Sequence, residues 1–159
     1  MQYKENFHVA LFEPEIPQNT GNIGRICLGF QLHLHLIHPL GFQTNEKALR
    51  RAGLDYWSQI NCTEHENQQA FWNYVEEQGF CPILFTTKTK EPYTKYRYNE
   101  KTIVVFGPES RGLPVELFQK YQTATIPMFG NIRSFNLANS VAMACVEGMQ
   151  QIYPQIYMK

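Results

Sequence analysis

The sequence has no excess of charge of either sign. Fourteen lysines and arginines meet fourteen aspartates and glutamates, and the formal net charge is zero. A nucleic-acid binder that works by bulk basicity is therefore excluded, and any such site has to be a local patch. Long hydrophobic runs are missing as well. Stretches such as Thr102–Phe106 and Leu137–Val146 fall far short of a membrane span, and Met1–Asn6 offers no apolar segment for a signal peptide. The four cysteines (Cys27, Cys62, Cys81, Cys145) form no CxxC pair, so neither metal-ligand spacing nor a disulfide framework is expected. No repeat, low-complexity tract or Pro/Gly/Ser-rich linker divides the chain. What is present is a 159-residue chain with 43% hydrophobic and 14% aromatic residues, enough to bury a core. A single domain spanning residues 1–159, without metal or membrane partner and located in the cytoplasm, is expected.

Apolar stretches alternate with amphipathic ones. His8–Phe12 reads as a strand running into the rigid loop Glu13-Pro14-Glu15-Ile16-Pro17. Asn19 and Thr20 are candidate N-caps for a helix over Asn22–Phe30. Leu32–Ile37 alternates with period two and stops at His38-Pro39-Leu40-Gly41. That alternation puts His33 and His35 on one face, read as exposed strand histidines. Further helices are expected over Glu46–Ala52, ending at Gly53; from a capping box at Thr63–Glu66 to about Gln78; from Pro114 to about Tyr121; and over Asn136–Tyr153. Pro82–Thr86, Thr102–Phe106 and Ala124–Ile126 read as strands. Cys27 and Cys145 fall on apolar helix faces and read as core. Strands alternating with helices predict an α/β domain with a largely parallel sheet.

Three polar, glycine-bearing segments sit where strands end: Pro17–Arg25, Gly107–Gly112 and Pro127–Asn136. In open α/β sheets ligands bind outside the carboxyl ends of strands, so these segments form a candidate site. The first could cradle a phosphate with Gly21 and Gly24, or be an ordinary strand-to-helix turn; it is neither a GxGxxG nor a Walker loop. In the second, Glu109 and Arg111 either serve a ligand or pair with each other. In the third, Ser134, Asn136 and Asn139 exceed what one helix cap requires.

Taken together, Asn19-Thr-Gly-Asn-Ile-Gly-Arg25, Phe106-Gly-Pro-Glu-Ser-Arg-Gly-Leu113 and Ile126-Pro-Met followed by Arg133-Ser-Phe-Asn-Leu-Ala-Asn-Ser-Val-Ala142 resemble the three motifs of the SPOUT class of RNA methyltransferases. The likeness to the smaller, one-domain members extends over Glu13–Asn19, His38–Phe42 and Leu49–Tyr56. Val146 departs from it, standing where such relatives often carry tyrosine. The resemblance implies a parallel-sheet α/β-knot (SPOUT) fold with a C-terminal trefoil knot and a homodimer. It also implies S-adenosyl-L-methionine as cofactor and 2′-O-methylation of the wobble nucleotide, cytidine or modified uridine 34, in leucine tRNAs, through the anticodon stem-loop. A methyltransferase for ribosomal RNA and an inactive RNA-binding module are the competing readings.

On the same resemblance, Arg25, Glu109, Ser134 and Asn136 are the catalytic candidates. Phe85, Thr86, Gly107, Ile126, Met128 and Ser134 are the candidates for holding cofactor. Arginine is a poor base, since guanidinium stays protonated in proteins, so Arg25 is read as stabilising a developing alkoxide. Lys47, Arg50 and Arg51 form one basic cluster; Lys90, Lys95 and Arg97, with Lys88 and Lys101, form another. These residues and Arg133 are the expected RNA contacts. Tyr93, Tyr96 and Tyr98, interleaved with the second cluster, are either stacking platforms for unpaired bases or ordinary surface tyrosines.

Overall fold

A strand buried on both faces has no use for polar alternation, and Thr102–Phe106 (TIVVF) carries none: all five residues are buried. It lies inside a six-stranded, wholly parallel sheet in a computed structural model that describes residues 6–45, 47–52 and 56–157. In chain order the elements are β1 (His8–Phe12), α1 (Pro17–Phe30), β2 (His33–Ile37), α2 (Lys47–Ala52), β3 (Cys62–His65), α3 (Gln68–Gln78), β4 (Cys81–Phe85), β5 (Thr102–Phe106), β6 (Gln122–Ala124), α4 (Leu137–Ile152) and α5 (Pro154–Tyr157). The strands lie in the order β3-β2-β1-β5-β4-β6. The chain therefore builds outward from β1 to one edge, then crosses over and fills the other side. The reversal falls between β1 and β5, where Val9 pairs with Val104 and Leu11 with Phe106. This is the α/β architecture that the alternation of elements predicts.

Successive side chains of the central strands feed two cores. Val9 and Leu11, with Leu34, Leu36 and Val104, pack against Ile23 and Cys27 of α1 and Val141, Ala144 and Cys145 of α4. Ala10 and Phe12, with Ile103 and Val105, pack against Phe71 and Val75 of α3. Cys27 and Cys145 are core residues as read, and burial pushes both thiols well above their ordinary pKa.

Several local expectations change. Asn19 and Thr20 are not caps: Pro17 opens α1 two residues earlier, and both side chains are buried inside the helix. Gly21 and Gly24 lie on the buried side of α1 as well. A Cβ on Gly24 would come within 2.6 Å of Ile60 and 2.7 Å of Trp57, so this glycine serves helix packing and not a phosphate cradle. Thr63–His65 belongs to β3, drawn into the sheet by pairing with β2, and Asn67 caps α3 by accepting the Ala70 N–H at 2.9 Å. Gly79 ends that helix with a left-handed φ of 70°, as the sequence predicts. Pro114 precedes a 3-10 turn over Val115–Gln119 in place of an α-helix. Glu46 and Gly53, the predicted bounds of the second helix, lie outside the described residues, as do Leu54 and Asp55 of the Leu49–Tyr56 likeness.

The strand histidines are not exposed. His35 has no solvent-accessible surface and lies in a row of imidazoles. Its Nε2 is 2.8 Å from His8 Nδ1 and its Nδ1 is 2.9 Å from His65 Nε2, while His33 stacks on both His8 and His35. Helix α3 covers this face with Phe71 and Tyr74. Burial, then the neighbouring imidazoles, push the His35 pKa down to about 2; burial, His33 and Lys101 push His8 to about 4. Among the described residues no cluster of three or more His, Cys, Asp or Glu could hold a metal ion. Nor is any described helix long and apolar enough to cross a membrane.

Candidate active site

Helix α1 begins without a cap of its own, since Ile16 has no side-chain acceptor. A residue from far along the chain meets that need. Glu109, in the loop after β5, accepts the N–H of Glu15 at 2.8 Å and of Ile16 at 3.2 Å, placing a carboxylate where the helix dipole favours it. Glu15 answers in the other direction: its carboxylate accepts the N–H of Ser110 at 2.8 Å and the Ser110 hydroxyl at 2.7 Å. These two bonds, aided by Arg111, hold the Glu15 carboxyl below its usual range. Arg111 pairs with Glu13 at 2.6 Å, so the expected alternative of a Glu109–Arg111 pair gives way to bonds between the two loops. Gly107 has to be glycine for this loop to close, because a Cβ there would lie 2.4 Å from the backbone of Gly112 and Leu113.

The third segment is tied in through asparagines. Asn136 caps α4, its side-chain oxygen accepting the Asn139 N–H at 3.2 Å, and its Nδ2 donates to Asn19 Oδ1 at 3.0 Å. Asn19 Nδ2 in turn reaches Glu109 Oε1 at 3.5 Å. A polar chain Glu109–Asn19–Asn136 thus crosses all three segments at the reversal between β1 and β5. In the sequence Asn19 reads as a cap, and nothing local singles out Glu13 or Glu15. The only usable signal is an Asn on a helix that Pro17 can already open.

Around this chain lies a cleft of about 590 Å³, inside the roughly 300–1,000 Å³ range of small-molecule sites. Phe85, Thr86, Gly107, Ile126, Met128 and Ser134, the six residues expected to hold cofactor, all line it. So do Glu109, Asn136 and Arg133, with Lys88 beside them. Phe85 and Phe106 stack 4.6 Å apart on one wall. An apolar wall for a flat ring beside polar loop groups suits a nucleoside carrying a charged tail. Ser134 is exposed, and among the described residues its hydroxyl has no hydrogen-bond partner.

Arg25 is not part of this cleft. It is exposed on α1, beyond the lining residues. Lys47, Arg50 and Arg51 are carried by α2, which packs along α1. Lys90, Lys95 and Arg97 are exposed on the segment between β4 and β5, Lys95 paired with Glu91. The tyrosines of that segment are structural. Tyr98 is 4% exposed and donates to the Tyr93 carbonyl at 2.9 Å, and Tyr96 donates to the Thr123 carbonyl at 2.6 Å. Backbone bonds from Thr125 to Glu91 and from Tyr93 to Thr125 complete a clasp over β6. The Tyr96 and Tyr98 rings therefore brace the clasp, and Tyr93 is half-buried with its ring 6.2 Å from that of Phe85.

A parallel α/β sheet with a nucleoside-sized cleft at its reversal, lined by the segment before α4, is a frame that known proteins share. Residues 6–146 match the SpoU rRNA Methylase family, and the chain belongs to it. Within that family the chain is 41% identical, over 148 residues, to the tRNA (cytidine(34)-2′-O)-methyltransferase of Methylovorus glucosotrophus, covering 91% of this chain and 95% of that one. A solved structure described as giving insight into the 2-OH methylation of C/U34 on tRNA superposes with a TM-score of 0.90 at 38% identity, covering 95% of this chain and 99% of the other. The AdoMet-bound rRNA methyltransferase of Sinorhizobium meliloti shares the fold, with a TM-score of 0.86 at 23% identity over 94% of this chain and 58% of that one.

Proposed function

We propose that the protein is a single-domain, cytoplasmic enzyme that methylates the ribose 2′-oxygen of the wobble nucleotide 34 in leucine tRNAs, using S-adenosyl-L-methionine. The observation that carries this reading is the meeting of all three motif segments in one cleft, bound together through Glu109, Asn19 and Asn136. The cofactor supplies a sulfonium methyl group when bound. Everything else falls to positioning and charge: the two reactants are held in line, and the hydroxyl loses its proton as the oxygen attacks.

Phe85 and Ile126 provide apolar walls, and the backbone at Gly107 and Met128 provides polar edges. Glu109 and Asn136 spend their polar atoms on α1 and α4, so they act by fixing the cleft and not by touching the ribose. Ser134 lines the cleft and offers its hydroxyl to the ligand. Arg25 stabilises the developing alkoxide and clamps the adjacent phosphate through its planar set of N–H donors. Because Arg25 lies outside the cleft of its own chain, a homodimer in which each copy offers Arg25 to the other's cleft completes the site. An open hollow of about 420 Å³ along α4, where Met143 and the exposed Val146 lie beside Tyr93, Glu147 and Gln150, supports burial of that helix in such a dimer. The wrap of residues 86–101 over β6 supports a chain path knotted at the C-terminal end. RNA contacts fall to Lys47, Arg50, Arg51, Lys90, Lys95, Arg97 and Arg133, which grip the anticodon stem-loop through its phosphates.

The test is methyl transfer by the purified protein to a leucine tRNA transcript and to the same transcript with 2′-deoxynucleotide 34. Methylation of the first and not the second is expected. Equal labelling of both, or labelling of ribosomal RNA alone, contradicts the reading.

A further inference from the structure

One large apolar side chain near the cleft is left wholly in water. Phe129 is 101% exposed, the most exposed of the large hydrophobic residues described. Leaving its ring in water forgoes the burial free energy that an aromatic normally supplies. Its neighbour Met128 lines the cleft, and so does Arg133, four residues after Phe129, which puts this stretch of chain beside the mouth. A Cβ on Gly130 would meet nothing within 4 Å, so this stretch stands clear of the body of the protein.

The charges around the ring indicate what it meets. Arg133 is the one charged residue between Thr125 and Ser140. The cleft has four charged lining residues, Lys88, Glu109, Arg111 and Arg133. Glu109 is engaged with the start of α1 and Arg111 with Glu13. The charges left for a ligand at this mouth are the cations Lys88 and Arg133, neither of them in an ion pair among the described residues. An exposed aromatic ring flanked by such cations suits a polyanion that carries flat apolar faces, which is the chemistry of unpaired RNA.

We propose that Phe129 is a base-stacking residue: it stacks on an unpaired nucleobase next to the nucleotide being modified, while Arg133 holds the phosphate between them. This rests on the reading of RNA as substrate. The ring supplies binding and placement of RNA and has no part in holding the methyl donor. The other occupant that an exposed ring could find is a second copy of this chain, and the experiment separates the two.

The experiment compares the full chain with Phe129→Ala, Phe129→Leu and Phe129→Trp. It measures tRNA binding by anisotropy, methyl-transfer kinetics, S-adenosylhomocysteine titration and mass by light scattering. Phe129→Ala is expected to weaken tRNA binding and raise the tRNA KM by about tenfold, the scale of one lost base–aromatic stack. The kcat at saturating tRNA, the affinity for S-adenosylhomocysteine and the mass are expected to stay unchanged. Phe129→Trp, a larger stacking surface, restores binding, whereas Phe129→Leu, apolar but not flat, does not. Wild-type tRNA affinity in Phe129→Ala, full restoration by leucine, or a fall in mass caused by alanine each overturns the proposal. Absence of tRNA binding by the wild-type protein overturns the functional reading itself, and this inference with it.

Discussion

Acidification should destabilise this fold well before its carboxylates titrate. The cause is the imidazole row formed by His8, His33, His35 and His65. His35 is the clearest member, fully buried with a pKa pushed down to about 2. Its folded-state pKa is depressed, so the folded chain keeps it neutral while the unfolded chain protonates it near the ordinary value of about 6.5. The stability tied to that difference is complete above about pH 6.5 and falls as pH drops toward the folded-state value. Between pH 7 and 5 the loss from His35 alone is about 2 kcal/mol, approaching 1.4 kcal/mol per pH unit at the lower end. His8 and His65 act in the same direction. Glu15, whose pKa is lowered, loses its contribution only below the ordinary carboxylate range, which separates the two windows. Urea titrations at pH 7, 6 and 5 measure this directly. With an m-value of about 2 kcal/mol/M, the midpoint should fall by about 1 M across the range. His35→Gln should flatten the dependence while lowering stability at pH 7. A wild-type midpoint that does not move between pH 7 and 5 would show that the row accepts protons in the folded state, and would refute the link between imidazole burial and acid sensitivity.

Arg25→Ala should abolish methyl transfer yet leave S-adenosylhomocysteine affinity intact by calorimetry, because Arg25 is outside the cleft; loss of cofactor binding in a folded variant counts against the role. Glu109→Ala leaves the N–H groups of Glu15 and Ile16 without their acceptor and should cost about 1–3 kcal/mol of stability in a denaturant titration, with weaker S-adenosylhomocysteine binding; an unchanged midpoint removes Glu109 as the cap of α1. Neutralising Lys90, Lys95 and Arg97 together should weaken tRNA binding and flatten its dependence on log salt in proportion to the phosphates no longer neutralised; wild-type binding across a salt series moves RNA contact to Lys47–Arg51 and Arg133. Light scattering at micromolar concentration should give twice the 18.6 kDa chain mass, and a fully active monomer would sink the shared-site arrangement.

The sheet is legible in the sequence because burial on both faces leaves a plain mark: compact β-branched and apolar runs at 8–12 and 102–106 coincide with β1 and β5, and the run at 82–86 lies one residue later than β4. What misleads is every feature whose partner is distant in sequence. The start of α1 looks as though it needs Asn19 or Thr20 as a cap, yet its acceptor is Glu109, more than ninety residues away. The capping pattern at Thr63–Glu66 is locally sound, and pairing of Cys62–His65 with β2 overrides it. His33 and His35 alternate with leucines as residues on a wet face would. A parallel sheet has helices on both sides, however, so here the second face is covered by α3 and the polar side chains satisfy one another. The tyrosines between Lys88 and Lys101 carry no signal that they fold back onto β6. The candidate site is legible as three segments in the right order, and its wiring through Glu15, Asn19 and Asn136 is not, since single hydrogen bonds between loops leave no periodicity behind.

The most direct test of the central claim maps 2′-O-methyl groups at nucleotide resolution on tRNA from cells with and without this protein. The expected result is loss of one mark, at the ribose of nucleotide 34 in leucine tRNAs, restored by the wild-type chain and not by Arg25→Ala. An unchanged nucleotide 34 together with a lost mark elsewhere, in tRNA or in ribosomal RNA, would contradict it.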